Sequence, residues 1–412
     1  MSTSGFRQRL FNVPTLASSW SRENGFGLLR LLLAISVIAS HSFPLGYGKA
    51  DLGVGISHNQ TNVGALAVAG FFVLSGLLIT RSGMRLTTGR FLWHRALRLL
   101  PGLWVCLFLT AFVMAPLVAI HEKQSLSALF SSPTGPWSYL RANWAEGSTQ
   151  YGIANLLGHV PHAGAFNGSL WTLRYEMAGY LSVGFLAAAA VLRRARWVVV
   201  LLMAWAYYIL VSTALTFPHL RMTTYAPLHG LVSYSLPLLG PLSSDYLVPM
   251  LFMFGLGTLA ELFRDRLPIS GVLAAVALAV FAGTLHYGGF ALFGMPALAY
   301  LLIFAAMRMP APLNKIGSKR DYSYGLYIYA FVVQQGLAEL HFARWGVVPF
   351  FLLSLAGSLV LAALSWHLVE QPALRLKNLG LARRPARRST TPVGVEGAGA
   401  PVRSGDNEPL RT

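Results

Sequence analysis

Three ionisable side chains interrupt long apolar runs in this sequence: Arg30, His41 and Glu176. A titratable group in hydrocarbon costs free energy, and where one persists it marks a site or a pathway by default. Arg30 and His41 are eleven residues apart. At 100° per residue that is three turns plus about 20°, so on a helix they share one face about 16 Å apart along the axis. Histidine can take a proton from an alcohol at neutral pH, and a carboxylate such as Glu176 can orient the ring or hold a substrate hydroxyl. The plainer reading of each group alone is a polar tie between helices.

A second cluster is basic. Arg95 and Arg98 form an R-x-x-R pair in Phe91-Leu92-Trp93-His94-Arg95-Ala96-Leu97-Arg98, a spacing that puts both on one helix face. Two guanidiniums there suit a polyphosphate, because each can make paired charge-assisted bonds to phosphate oxygens. As a plain juxtamembrane anchor the same pair needs no ligand.

The elements that must position these groups are apolar spans. Of the 412 residues, 55% are hydrophobic and 11% charged, whereas soluble domains carry about 25% charged residues. A bilayer-crossing helix needs roughly 20 apolar residues. Ten runs qualify, near 26–46, 62–80, 100–120, 169–192, 197–216, 244–263, 268–285, 289–307, 322–340 and 347–369. The expected fold is an all-α integral membrane bundle of about ten transmembrane helices. With a cytoplasmic N-terminus, 25 of the 32 Lys and Arg fall on the cytoplasmic side, 5 outside and two within spans. That asymmetry supports an inner-membrane, multi-pass protein with both termini cytoplasmic. It also accounts for the net charge of +18 without nucleic acid. A cleaved signal peptide is the competing reading of the first run, but Arg30 inside it and the charge alternation favour a retained span.

In this orientation Glu176 and His41 are both expected in the outer half of the bilayer, forming an acceptor site, with Arg95 and Arg98 at the inner face. A nucleotide-bearing donor with a long flexible arm fits such a path, and coenzyme A thioesters have that shape. The chain divides into a cytoplasmic lead (1–25), a transmembrane domain (26–376) and a basic tail (377–412) expected to be disordered. The external loop near 121–168 is long enough to fold over a cavity; its Trp137, Trp144 and Tyr151 serve acceptor choice or sit as interfacial aromatics. One cysteine, Cys106, excludes an intramolecular disulfide, and the eleven histidines lack ligand-like spacing, so no metal is expected.

Several motifs, in order, resemble the acyltransferase-3 family of membrane O-acyltransferases, which includes bacterial O-antigen acetylases. Arg30 to His41 is similar to its R-x10-H, Gly70 to Ile79 (GFFVLSGLLI) to its FFVLSGFLI, and Arg95 and Arg98 to its R-x-x-R. Ser169 to Glu176 (SLWTLRYE) resembles SLW-x-x-x-x-E, Asp321 to Tyr329 (DYSYGLYIY) the SYxLYL segment, and Glu370-Gln371-Pro372 the closing E-x-P. The resemblance covers about residues 23–376. It implies catalysis by His41 with Glu176, donor binding by Arg30, Arg95 and Arg98, and supporting positions at Ser75, Tyr324, Tyr327 and Glu370. It further implies acyl-CoA, most simply acetyl-CoA, as donor substrate rather than bound cofactor, with a carbohydrate or glycolipid as acceptor. A histidine that many members carry after the tyrosine-rich segment is Ala330 here. The alternative from another class is a multi-spanning transporter or flippase, whose passage the same charges would line.

Overall fold

Asn62 starts the central helix of the bundle: its side chain accepts a hydrogen bond from Ala65 N, and an unbroken apolar run follows to Arg85. The computed structural model describes residues 13–21, 23–145, 149–216, 233–236 and 239–378. Among these, ten principal helices follow one another: α1 (Phe26–Tyr47), α2 (Val63–Arg85), α3 (Thr88–His121), α4 (Leu173–Ala188), α5 (Arg196–Thr216), α6 (Ser244–Leu262), α7 (Gly271–Tyr287), α8 (Phe290–Arg308), α9 (Ser323–Glu339) and α10 (Val347–Asn378). Seven are long and apolar enough to cross a membrane, and α7 is a shorter apolar helix. The remaining two, α4 and α9, are diluted by polar residues and lie against the other helices. Nearly every residue of α9 is buried.

The protein is an all-α membrane protein, and each expected apolar run corresponds to one of these helices. Three features differ from expectation. Helix α3 begins at Thr88 rather than near 100 and continues through Pro101. Its first three turns carry Arg90, Arg95 and Arg98, which hide them from a hydropathy reading. Helix α4 starts late, behind a 3₁₀ turn at Gly168–Thr172. A short antiparallel hairpin, β1 (Ser233–Leu236) and β2 (Gly240–Ser243), precedes α6. The expected tail beyond residue 378 lies outside the described residues, as do all the residues before Val13.

Helix α2 packs on α6 backbone to backbone. A Cβ on Gly76 would come within 1.8 Å of Phe254 O, and one on Gly257 within 2.0 Å of Val73 O, so both positions must be glycine. Thr80 and Thr258 exchange a hydroxyl hydrogen bond at 3.0 Å along the same seam. This approach fixes the rotation of α2 and turns Ser75, the neighbour of Gly76, toward a cavity between α1, α3, α4, α9 and α10.

One end of the bundle is basic. There Arg81 and Arg264 pair with Glu261 and flank the Trp20 ring, and Arg193 and Arg196 bond the ends of α2 and α6. The segment before α1 docks at this end through Leu16, which is fully buried and donates its N–H to Leu267 O. At the opposite end loops close over the helices: Gln60 binds Thr284 and Leu285 carbonyls, and Gln335 binds those of His162 and Ala165.

Candidate functional site

A cavity of about 280 Å³ lined by several charged side chains opens toward the basic end. Arg30, Arg95, Arg98 and Lys377 supply cations to its wall; Glu176 and Asp321 supply carboxylates. Burying this many charges in a dry bundle is costly unless each finds a partner, so the pairing decides what each does.

Arg98 is fully committed. Its Nη2 donates to Asp321 Oδ2 at 2.7 Å and its Nη1 to Glu370 Oε2 at 2.9 Å. Arg30 reaches the same Asp321 oxygen at 3.3 Å. Asp321 therefore ties α1 to α3 just ahead of α9, and Ser323 donates to its other oxygen through both N–H and hydroxyl. Burial alone would raise the Asp321 carboxyl, but Arg98 and Arg30 beside it hold it below the usual carboxylate range. Glu370 sits in a π-helical turn, Trp366–Glu370, and receives a second bond from Ser365 at 3.1 Å. That widened turn brings Glu370 to Arg98 while Trp366 lines the cavity. Tyr324 closes α9 on α3 by donating to Leu99 O at 2.7 Å, where Gly102 leaves room for its ring.

Arg95 forms no salt bridge with a carboxylate among the described residues. Its guanidinium lies 6.0 Å from the Tyr180 ring centroid, and its Nε is buried without a hydrogen-bond partner. Glu176 accepts from Ser75 Oγ at 3.0 Å and from the Tyr180 hydroxyl, and neither of its oxygens is engaged by an arginine. The cavity thus offers one oriented carboxylate and one guanidinium outside any salt bridge among the described residues.

His41 is elsewhere. It is absent from the cavity wall and packs edge-on against Phe331, ring centroids 5.8 Å apart. His162 packs edge-on against the same Phe331 ring, at 5.7 Å. Nδ1 of His41 is buried and has no hydrogen-bond partner among the described residues. The neighbouring Ser40 hydroxyl donates to Asp51 at 2.9 Å.

Helix register gives the separation. A Cβ on Gly64 would touch Ser40 and one on Gly70 would touch Leu33, so α1 and α2 run antiparallel. Ser75, five residues beyond Gly70, is level with the turn of α1 that holds Arg30. Glu176, bonded to Ser75, is therefore level with the arginines. The expectation that Glu176 shares a depth with His41 does not hold; the two are roughly 16 Å apart along the bundle. The reason is the loop before α4, which enters the bundle through buried Asn167, Ser169 and Leu170 and delays the helix start. Between the two levels the cavity ends at Val68, Phe71 and Tyr327. The Tyr327 hydroxyl bonds Thr172 at 2.5 Å and Ser169 O at 3.1 Å, one turn before Phe331 on α9. Ala330 faces α1 and α10 in an apolar cluster with Ala34, Ile38 and Ala362.

The structure therefore brings Arg30, Ser75, Arg95, Arg98, Glu176, Tyr324 and Tyr327 to one cavity, with Glu370 behind Arg98, and leaves His41 beyond its far end. Sequence reasoning missed Asp321, Tyr180 and Lys377 as members. With only 14 acidic residues in the chain, an aspartate adjoining an apolar run was a legible signal; Lys377 gave none, because basic residues are common at that end.

A family profile described as "Acyltransferase domain" matches residues 23–367. An "O-acetyl transferase" of Shigella phage Sf6 is 30% identical over 365 residues, spanning 85% of this chain and 96% of that protein. "Nodulation protein 10" of Rhizobium leguminosarum bv. viciae is 28% identical over 400 residues, 90% of this chain and 98% of that protein. No solved structure matches significantly.

Proposed function

The chain belongs to this acyltransferase family, and from that premise we propose that it carries an acetyl group from cytoplasmic acetyl-CoA to a hydroxyl of an envelope or exported carbohydrate. The protein is a membrane acyltransferase; donor, acceptor and orientation are our reading. The observation that carries the donor assignment is Arg95, a cation in the cavity wall that forms no salt bridge with a carboxylate among the described residues. A phosphate would satisfy it. The acetyl group is proposed from the printed name of the phage relative, and the inner-membrane orientation from the basic residues gathered at the cavity end.

On this reading the thioester enters from the basic end. Arg95 holds its phosphates, while Arg30 and Arg98, braced by Asp321 and Glu370, keep the cavity open and positive. The flexible arm extends past Ser75 and Glu176, and the side chains of Val68, Phe71 and Tyr327 that end the cavity must part to admit the thioester to His41. There the acceptor hydroxyl gives its proton to the imidazole as its oxygen bonds to the thioester carbonyl carbon; the carbon–sulfur bond breaks, and the leaving thiolate takes up a proton. Alternatively His41 first receives the acyl group and passes it to the hydroxyl. An imidazole whose Nδ1 has no hydrogen-bond partner among the described residues can adopt either tautomer. Glu176 lies too far from His41 to orient it and instead faces the donor's arm.

The test is reconstitution of the purified protein with labelled acetyl-CoA and candidate glycans. A stable ester on the glycan is expected. Substrate movement across the vesicle without ester formation would replace this reading with the transporter alternative.

A further inference from the structure

The end of α10 contributes a cation to the cavity wall that lies beyond the family match, which stops at residue 367. After the π-helical turn the chain continues through Gln371–Arg375 and closes with a 3₁₀ turn, Leu376–Asn378. Trp93 Nε1 donates to Leu376 O at 3.2 Å, which pins this turn to α3 two residues from Arg95. Two neighbours two residues apart then behave differently. Arg375 is exposed, as a surface cation at a basic end should be. Lys377 is half-buried, lines the cavity with Leu374 and Trp366, and makes no ion pair among the described residues.

A lysine that served only to anchor the helix end in the headgroup region would extend outward. Lys377 instead turns inward beside Arg95, and the two repelling cations adjoin there with no salt bridge to either among the described residues. Bound anions relieve that repulsion. Arg98 does not share this role, because Asp321 and Glu370 already occupy its donors.

We propose that Lys377 and Arg95 together form an anion clamp for the phosphates of a nucleotide-bearing donor, making the end of α10 part of the donor site. The proposal rests on the acyl-CoA reading above. It assigns to Lys377 a point charge for phosphate oxygens and to the α3–α10 contact at Trp93 the task of holding it in place.

The experiment compares wild type, Lys377→Ala and Lys377→Arg with acetyl-CoA and with acetyl-pantetheine, which keeps the arm and thioester but lacks the nucleotide. Loss of a charged hydrogen bond is worth roughly 10-fold or more in affinity. Lys377→Ala is expected to raise KM for acetyl-CoA by that factor at unchanged kcat, to leave acetyl-pantetheine kinetics as they were, and to be rescued by Lys377→Arg. Inhibition by adenosine 3′,5′-bisphosphate should weaken in parallel, a readout that needs no turnover of the truncated donor. An unchanged KM and unchanged inhibition in Lys377→Ala would overturn the clamp while leaving the donor reading intact. Equal losses with both donors would overturn it in favour of a packing role. A wild-type protein that neither uses acetyl-CoA nor binds the bisphosphate overturns both.

Discussion

The two ends of the proposed reaction path are built on opposite principles. Arg98 itself is matched: its guanidinium bridges two carboxylates, and each carboxylate takes a further bond from a serine. Around His41 there is one imidazole, an aromatic wall and a second histidine from a loop. A saturated network in low dielectric resists rearrangement, since removing any member strands the others. A ring held by van der Waals contact is free to change its proton. The first region therefore suits holding a shape, and the proposed reading assigns the chemistry to the second and ligand binding to Arg95 at the edge of the first.

The contrast can be broken most sharply at His41. His41→Ala should leave the protein inserted and folded yet lower ester formation by on the order of 10²-fold or more, the scale of a lost general base. Wild-type ester yield from that variant would remove the imidazole from the chemistry. Arg98→Ala should act in the opposite way, through the fold: stranding Asp321 and Glu370 costs about 3–5 kcal/mol, seen as a lower melting transition in detergent. A variant as stable as wild type would show that the network is not structural.

Arg95→Ala sharpens the comparison, because it strands no carboxylate. It should melt like wild type while KM for acetyl-CoA rises roughly 10-fold; unchanged dependence on donor concentration would count against phosphate binding there. Tyr327→Phe keeps the ring and removes only the hydroxyl to Thr172 and Ser169. Its expected cost is about 1 kcal/mol, and a much larger loss of transfer at normal stability would assign the hydroxyl to the path itself.

Acid should reach the arginine network last. Because Arg98 and Arg30 depress the Asp321 carboxyl, its contribution to stability is complete above the ordinary aspartate pKa of about 3.9 and is lost only as pH falls through the lower folded value. Melting followed from neutrality downward should show no step from this group before that point. A step near neutrality that vanished in Asp321→Asn would contradict the assignment.

Membrane residence, the all-helical fold and the approximate positions of ten helices were legible in the sequence, because a bilayer demands about 20 apolar residues in a row and the pattern is local. Arg30 and Glu176 were legible for the same reason, as charges where charges are costly, and Arg95 through its R-x-x-R spacing with Arg98. What the chain order could not convey is which charges meet. Depth along a helix does not fix depth in the bundle: Glu176 lies next to the start of α4, yet a buried loop delivers that start to the level of Arg30. Nor does residue type separate Arg95 from Arg98, or Lys377 from Arg375. Only the packing of α3, α9 and α10 decides that Asp321 and Glu370 neutralise one member of the first pair, and that a turn pinned by Trp93 points one member of the second pair inward. Those pairings join residues more than 200 positions apart, and a contact of that range is set by tertiary geometry alone.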